Sequence, residues 1–146
     1  MGKFRNPSRA DIDAFLRRIR TIAVMGLSDN AFRASYGVAR SLQSFGYRIV
    51  PVNPGITTVL GERCWPSLEA AVAAQEPGAP IDLVDVFRSP EFVPSIVNES
   101  IRLKLPAIWL QDGVVHDEAA LCAQEAGLFT VMDRCVCRDR AMLAAN

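Results

Sequence analysis

Thr21-Ile22-Ala23-Val24-Met25-Gly26-Leu27-Ser28-Asp29-Asn30-Ala31-Phe32-Arg33-Ala34-Ser35-Tyr36 is the stretch on which the fold turns. Its first five residues are an apolar run closed by a glycine. A strand buried on both faces of a parallel sheet reads this way, because neither face alternates with polar residues. The glycine permits a tight turn. The segment behind it leads to a helix predicted over residues 35–45, with Gly46 as its C-terminal cap.

The unit then repeats outward from this stretch. Residues 47–52 read as a second strand, stopped by Asn53-Pro54-Gly55, and Cys64-Trp65 as a very short edge strand. Ser67 caps a helix through residues 69–75. Residues 81–87 form a strand, and Pro90 opens a helix to about residue 103, at a position where its missing amide costs nothing. Residues 107–110 are a strand, 116–126 a helix ended by Gly127, and 128–132 the last strand. Ahead of them, Ser8-Arg9-Ala10-Asp11 is close to a capping box. Ile12, Phe15, Leu16 and Ile19 recur at helical spacing behind it, predicting an amphipathic helix over residues 8–19.

Strand and helix in strict alternation require right-handed crossovers. The fold class is therefore α/β: a Rossmann-type doubly wound, mostly parallel sheet with helices on both faces. With the short strand near Cys64 at the edge, the order is three-two-one-four-five-six. The ligand crevice then lies beyond the carboxyl ends of the first and fourth strands. A chain of 146 residues fits a single domain. We expect an N-terminal helix within residues 1–20 packed on a binding domain of residues 21–137, and a weakly helical tail over 138–146.

Composition narrows the function. Half the residues are hydrophobic, and 16 Lys plus Arg balance 16 Asp plus Glu. The balance announces neither nucleic acid nor an anionic membrane as partner. The polar start Met1-Gly2-Lys3-Phe4-Arg5-Asn6-Pro7 is no signal peptide, and Asn6 stands where a myristoylation pattern wants Ser or Thr. No run approaches the roughly 18 apolar residues of a membrane span. A soluble, cytoplasmic protein is expected. Cys64, Cys122, Cys135 and Cys137 contain no C-x-x-C pair, and Cys135-x-Cys137 lacks zinc spacing, so free thiols and no metal are expected.

The strand-end rule nominates the loops that hold a ligand. Gly26 allows the turn, Ser28 offers a hydroxyl and an amide, and the helix N-terminus near Ser35 favours a negative group. Arg33 adds a cation just before the helix and Arg88 another across the crevice, so the two form a phosphate site. The dinucleotide fingerprint needs Gly-x-Gly-x-x-Gly, but Ser28 stands where the second glycine belongs. The second strand ends in Val52-Asn53-Pro54, without the acid that binds ribose hydroxyls. A missing carboxylate suits a ribose that already carries a phosphate. NADP and coenzyme A both meet that condition.

Gly26-Leu27-Ser28, Arg33-Ala34-Ser35-Tyr36 and Val50-Pro51-Val52-Asn53-Pro54 resemble the CoA-binding domain family, stand-alone relatives of the N-terminal domain of the succinyl-CoA synthetase α subunit. Leu60-Gly61, Pro66-Ser67-Leu68, Asp85-Val86-Phe87-Arg88, Trp109-Leu110-Gln111-Asp112-Gly113 and Val131-Met132-Asp133-Arg134-Cys135 continue the match in the same order. The resemblance implies coenzyme A across the carboxyl edge of the sheet. Gly26, Ser28, Arg33 and Ser35 would meet the phosphates, Val52, Asn53 and Pro54 the adenosine, and Phe87 and Arg88 the pantetheine arm. Leu27, Tyr36 and Gln111, from the same motifs, complete the implied set. Family members often carry Arg-Pro-Ser-Tyr and a second arginine after Phe-Arg. Ala34 and Ser89 stand there instead, which implies weaker phosphate affinity.

Catalytic groups are sparse. His116 is the only histidine and reads as a helix cap; the phosphoryl-carrying histidine of succinyl-CoA synthetase belongs to a later domain, so its role is not carried over. Asp117 and Glu118 read as first-turn acids, Asp112 as structural, and Trp65 and Trp109 as core or rim aromatics. Cys135 sits after the last strand near Arg134 and Arg138, whose charges favour a reactive thiol able to pair with that of CoA. The reading is a non-catalytic binding or regulatory module for the small molecule coenzyme A or an acyl-CoA, with no protein partner indicated. Two alternatives stay open: an NADP-linked oxidoreductase, for which no proton donor is visible, and a redox-responsive protein forming a mixed disulfide with CoA at Cys135.

Overall fold

The order of five parallel strands fixes everything else. In the computed structural model, which describes residues 3–145, β1 (Thr21–Met25) lies between β2 (Arg48–Val52) and β5 (Leu83–Val86). The sheet continues through β6 (Ala107–Leu110) to β7 (Phe129–Met132). The readings that touch Met1, Gly2 and Asn146 lie outside the described residues. A separate hairpin of β3 (Thr58–Val59) and β4 (Glu62–Arg63) is antiparallel, turning on Leu60 and Gly61 with φ of 53° and 78°.

Alternation along the strands sorts side chains to two faces. Ile22, Val24, Ile49, Leu83, Trp109 and Val131 pack under α1 (Arg9–Arg18), α2 (Ala34–Ser44) and α6 (Val136–Ala141). Ala23, Val50, Val84, Val86, Ile108 and Leu110 pack under α3 (Leu68–Ala73), α4 (Val93–Arg102) and α5 (Asp117–Glu125). Both layers are filled by residues wholly removed from water, each stabilising by about 1.5–3 kcal/mol. The doubly wound sheet with helices on both faces is thus present as one domain. Three helices are capped by side chains: Ser8 Oγ accepts from Asp11 N, Ser67 Oγ from Ala70 N, and His116 Nδ1 from Ala119 N, each at 3.1 Å.

Three expectations change. The edge strand at Cys64-Trp65 is reduced to one bridge between Val52 and Trp65. Trp65 N donates to Pro51 O and Asn53 N to Trp65 O, both at 2.9 Å. The ladder stops there because Pro51 and Pro66 have no amide to extend it. Pro90 opens a 3₁₀ turn (Pro90–Phe92), and the α-helix starts only at Val93. The chain end is helical from Val136, two residues earlier than expected, and a 3₁₀ turn (Met142–Ala145) follows it. It buries Val136, Asp139 and Leu143, and Asp139 receives Arg134 and Arg9 at 2.7 and 3.0 Å. Among the described residues, no helix is long and apolar enough to cross a membrane.

Candidate functional site

At the carboxyl edge, Gly26 adopts φ 79° and donates its amide to Val52 O at 2.9 Å. A Cβ there would stand 2.4 Å from Phe87 O and 2.9 Å from Arg88 Cδ. Only glycine lets the β1 loop and the β5 loop approach this closely. The loop beyond is held by its own polar groups. Ser35 Oγ accepts from Ser28 N, and Ser28 Oγ from Asn30 N, both at 3.0 Å, while Asn30 Oδ1 accepts from Phe32 N at 2.9 Å. The Ser28 amide, expected to face a ligand, is thus occupied by Ser35. Its hydroxyl proton remains available.

Helix α2 begins at Arg33 with no side chain capping it and no acid in its first turn. Its N-terminal partial positive charge is left for an anion. Gly26, Ser28, Arg33, Ala34, Ser35 and Phe87 line a cleft of about 360 Å³ around it. A second cleft of about 250 Å³ lies on the other side of Ala34 and Phe87, lined also by Val38, Arg88, Gln111, Val114 and Cys135. The first is polar and cationic, the second mostly apolar.

The two arginines therefore do not converge. Arg33 lines the first cleft and Arg88 the second, because the Arg88 guanidinium stacks over Phe92 at 4.1 Å. Neither is salt-bridged among the described residues. Leu27 and Val52 are core side chains that reach the edge only as backbone; Leu27 O accepts from Asn53 Nδ2 at 3.1 Å. Asn53 Oδ1 in turn accepts from Gly55 N at 2.9 Å, which shapes the turn carrying exposed Pro54. Tyr36 is half-buried against the α2 side of the core. Gln111 is buried and fixed, its Oε1 accepting from Val136 N at 3.1 Å.

Cys135 does line the second cleft, but its neighbouring cations are neutralised. Arg134 is bound to Asp139 at 2.7 and 2.8 Å, and Arg138 to Asp112 at 2.9 and 3.0 Å. The Arg138 hydrogen bond lowers the Asp112 carboxyl. Burial opposes ionisation of Asp139, but the Arg134 and Arg9 hydrogen bonds outweigh it and the carboxyl is lowered. Burial also raises the Cys64 thiol, which donates to Asn53 O at 3.5 Å.

Two residues escaped sequence reasoning. Phe32 is 98% exposed on the β1 loop, an apolar ring left in water beside the first cleft. Asp85 is wholly buried on β5, neither carboxyl oxygen has a partner, and burial holds its carboxyl well above the usual carboxylate range. The signal for Asp85 was an acid inside an apolar strand. Among the described residues no cluster of three His, Cys, Asp or Glu forms a metal site.

Comparison with known proteins gives relatives of matching size. The uncharacterized protein YneT of Bacillus subtilis is 40% identical over 131 residues, covering 90% of this chain and 93% of that one. A hypothetical protein from Pyrococcus horikoshii superposes with a TM-score of 0.85 at 31% identity, over 99% of each chain. In fold alone, the chain resembles 26% of a dinucleotide-forming acetyl-coenzyme A synthetase of Ca. Korarchaeum cryptofilum, with 77% of this chain covered at 16% identity and a TM-score of 0.63. Residues 20–140 match a family model described as CoA binding domain.

Proposed function

This chain belongs to the CoA binding domain family, and we propose that it holds coenzyme A across the carboxyl edge of its sheet as a non-catalytic module. The observation that carries the reading is the pair of clefts sharing Ala34 and Phe87. A phosphate end at the uncapped α2 and an apolar end beyond Phe87 suit a ligand with a phosphorylated nucleotide and a long arm. Arg33 and the α2 amides take the phosphates. Asn53 and Pro54 flank the adenosine, and Phe87, Val114 and the aliphatic part of Arg88 accompany the arm. No acid ends β2 to repel a phosphorylated ribose.

Calorimetry with CoA, dephospho-CoA and NADP tests this. Binding of CoA is expected, and it should exceed that of NADP. No heat at millimolar CoA, or tighter binding of NADP, overturns it. Arg33→Ala should weaken CoA about tenfold, the low end for a charge-assisted hydrogen bond. If dephospho-CoA is unaffected by that substitution, Arg33 holds the 3′-phosphate.

A further inference from the structure

The second cleft ends at Cys135, and Cys135 is not alone. Cys137 follows two residues later in the first turn of α6, half-buried and hydrogen-bonded to Ser41 on α2. Behind them stands Asp85. In register it lies between Val24 and Trp109, and both point to the sheet face covered by α2 and α6. Burial raises the Cys137 thiol, and the charges of Cys135 and Asp85 add to that effect, so the three groups share one neighbourhood. Native proteins rarely leave a buried carboxyl without any partner. This one sits on the strand that leads directly to Phe87 and Arg88.

We propose that Cys135 and Cys137 are a dithiol that exchanges with the disulfide form of coenzyme A, Asp85 taking the proton of the inner thiol. The proposal rests on coenzyme A being the ligand of the adjoining clefts. In the first step the Cys135 thiolate attacks one sulfur of CoA disulfide. The Cys135–CoA bond forms, the CoA–CoA bond breaks, and the departing thiolate takes up the proton Cys135 lost. In the second step Cys137 passes its proton to the Asp85 carboxylate and attacks Cys135 Sγ. The Cys135–Cys137 bond forms, the mixed disulfide breaks, and the second CoA thiolate receives the proton. In sum, one CoA disulfide is reduced to two CoA thiols and the dithiol is oxidised to a disulfide, once per chain.

A buried carboxyl with raised proton affinity is matched to accept a proton from a thiol. Residues two apart on a helix do not face each other. Cys135, however, is the extended residue ahead of α6, with φ −90° and ψ 117° and no side-chain cap. Closing the bridge therefore needs only the first turn of a six-residue helix to open.

Intact mass and released thiol after mixing with CoA disulfide test the scheme. The wild type should release two CoA thiols per chain and end as an internal disulfide. Cys137→Ser should stop at one adduct and one released thiol, and Cys135→Ser should form no adduct. Asp85→Asn should form the adduct at the wild-type rate but resolve it about a hundredfold more slowly. A purely structural role would slow both steps together, and that result overturns the part given to Asp85. An undiminished adduct on Cys135→Ser, or full resolution by Cys137→Ser, overturns the dithiol. Pantethine, the same disulfide without nucleotide, should react about tenfold more slowly; equal rates overturn CoA as the directed substrate. Calorimetric binding of CoA thiol by the reduced wild type separates the failures. Heat without adduct sinks the exchange alone, whereas no heat sinks the reading beneath it.

Discussion

Two loops leave the same edge of the sheet, one to α2 and one to α5, and each turns on a glycine of nearly the same conformation, φ 79° at Gly26 and 78° at Gly113. Around Gly113 a Cβ would meet nothing within 4 Å, whereas at Gly26 it would strike Phe87 O. Helix α5 satisfies its own start, with His116 as cap and Asp117 and Glu118 in the first turn. Helix α2 has neither device. The closed loop is complete without a ligand. The open one is crowded where it turns and unsatisfied where it ends, which is the arrangement that rewards an anion.

The largest effect should come from the glycines. Gly26→Ala should cost about 3 kcal/mol, from the left-handed conformation and the overlap together, and should abolish CoA binding. Gly113→Ala should cost about 1 kcal/mol from conformation alone. Urea unfolding measures both, and equal costs would erase the contrast.

A satisfied and an unsatisfied group also meet in two buried carboxyls, with opposite pH signatures. Asp139 is lowered in the folded state, so its stabilisation is present above about pH 4 and lost as pH falls through the lowered value. Asp139→Asn should cost about 1.5 kcal/mol at neutral pH, the low end for hydrogen bonds to charged groups. The low end applies because Arg9 and Arg134 keep 36% and 37% of their side chains in water. Asp85 is raised. The folded chain keeps a proton that the unfolded chain releases, so Asp85 weakens the fold as pH rises above about 4. Asp85→Asn should therefore gain on the wild type steadily as pH rises. Melting temperatures between about pH 3 and 8 would show the two opposed slopes, and parallel curves would refute the assignment.

The smallest effects separate the two helix starts. His116→Ala should cost about 1 kcal/mol by removing a cap and leave CoA affinity unchanged. Arg33→Ala should do the reverse, leaving stability within about 0.5 kcal/mol. A loss of affinity in the His116 variant would mean that the α5 loop is part of the site.

Local sequence carries what is locally determined. Strands β1 and β6 read to the residue because Gly26 and Gln111 end their apolar runs and Arg20 and Pro106 precede them. The hairpin of β3 and β4 does not, since two-residue strands hold no period. For the site, distance from a strand end brought Gly26, Ser28, Arg33, Ser35 and Phe87 to one cleft. The fate of the other charges depends on partners that spacing does not reveal. Phe92 draws Arg88 into a stack, and Asp112 binds Arg138 from 26 positions away. Asp85 stood in a quoted motif, but only the completed sheet shows that nothing meets its oxygens.

The two margins of the sheet carry one more consequence. On β7 the side chain of Asn6 imitates a neighbouring strand, donating to Met132 O at 3.0 Å and accepting from Met132 N at 2.8 Å. On β2, Trp65 takes the outward carbonyl of Pro51, and Pro51 has no outward amide to offer. Both margins are thus blunted against lateral recruitment of another chain's strand. Contacts between copies would have to be made through helix surfaces, which leaves the sheet end that carries the two clefts open to small molecules.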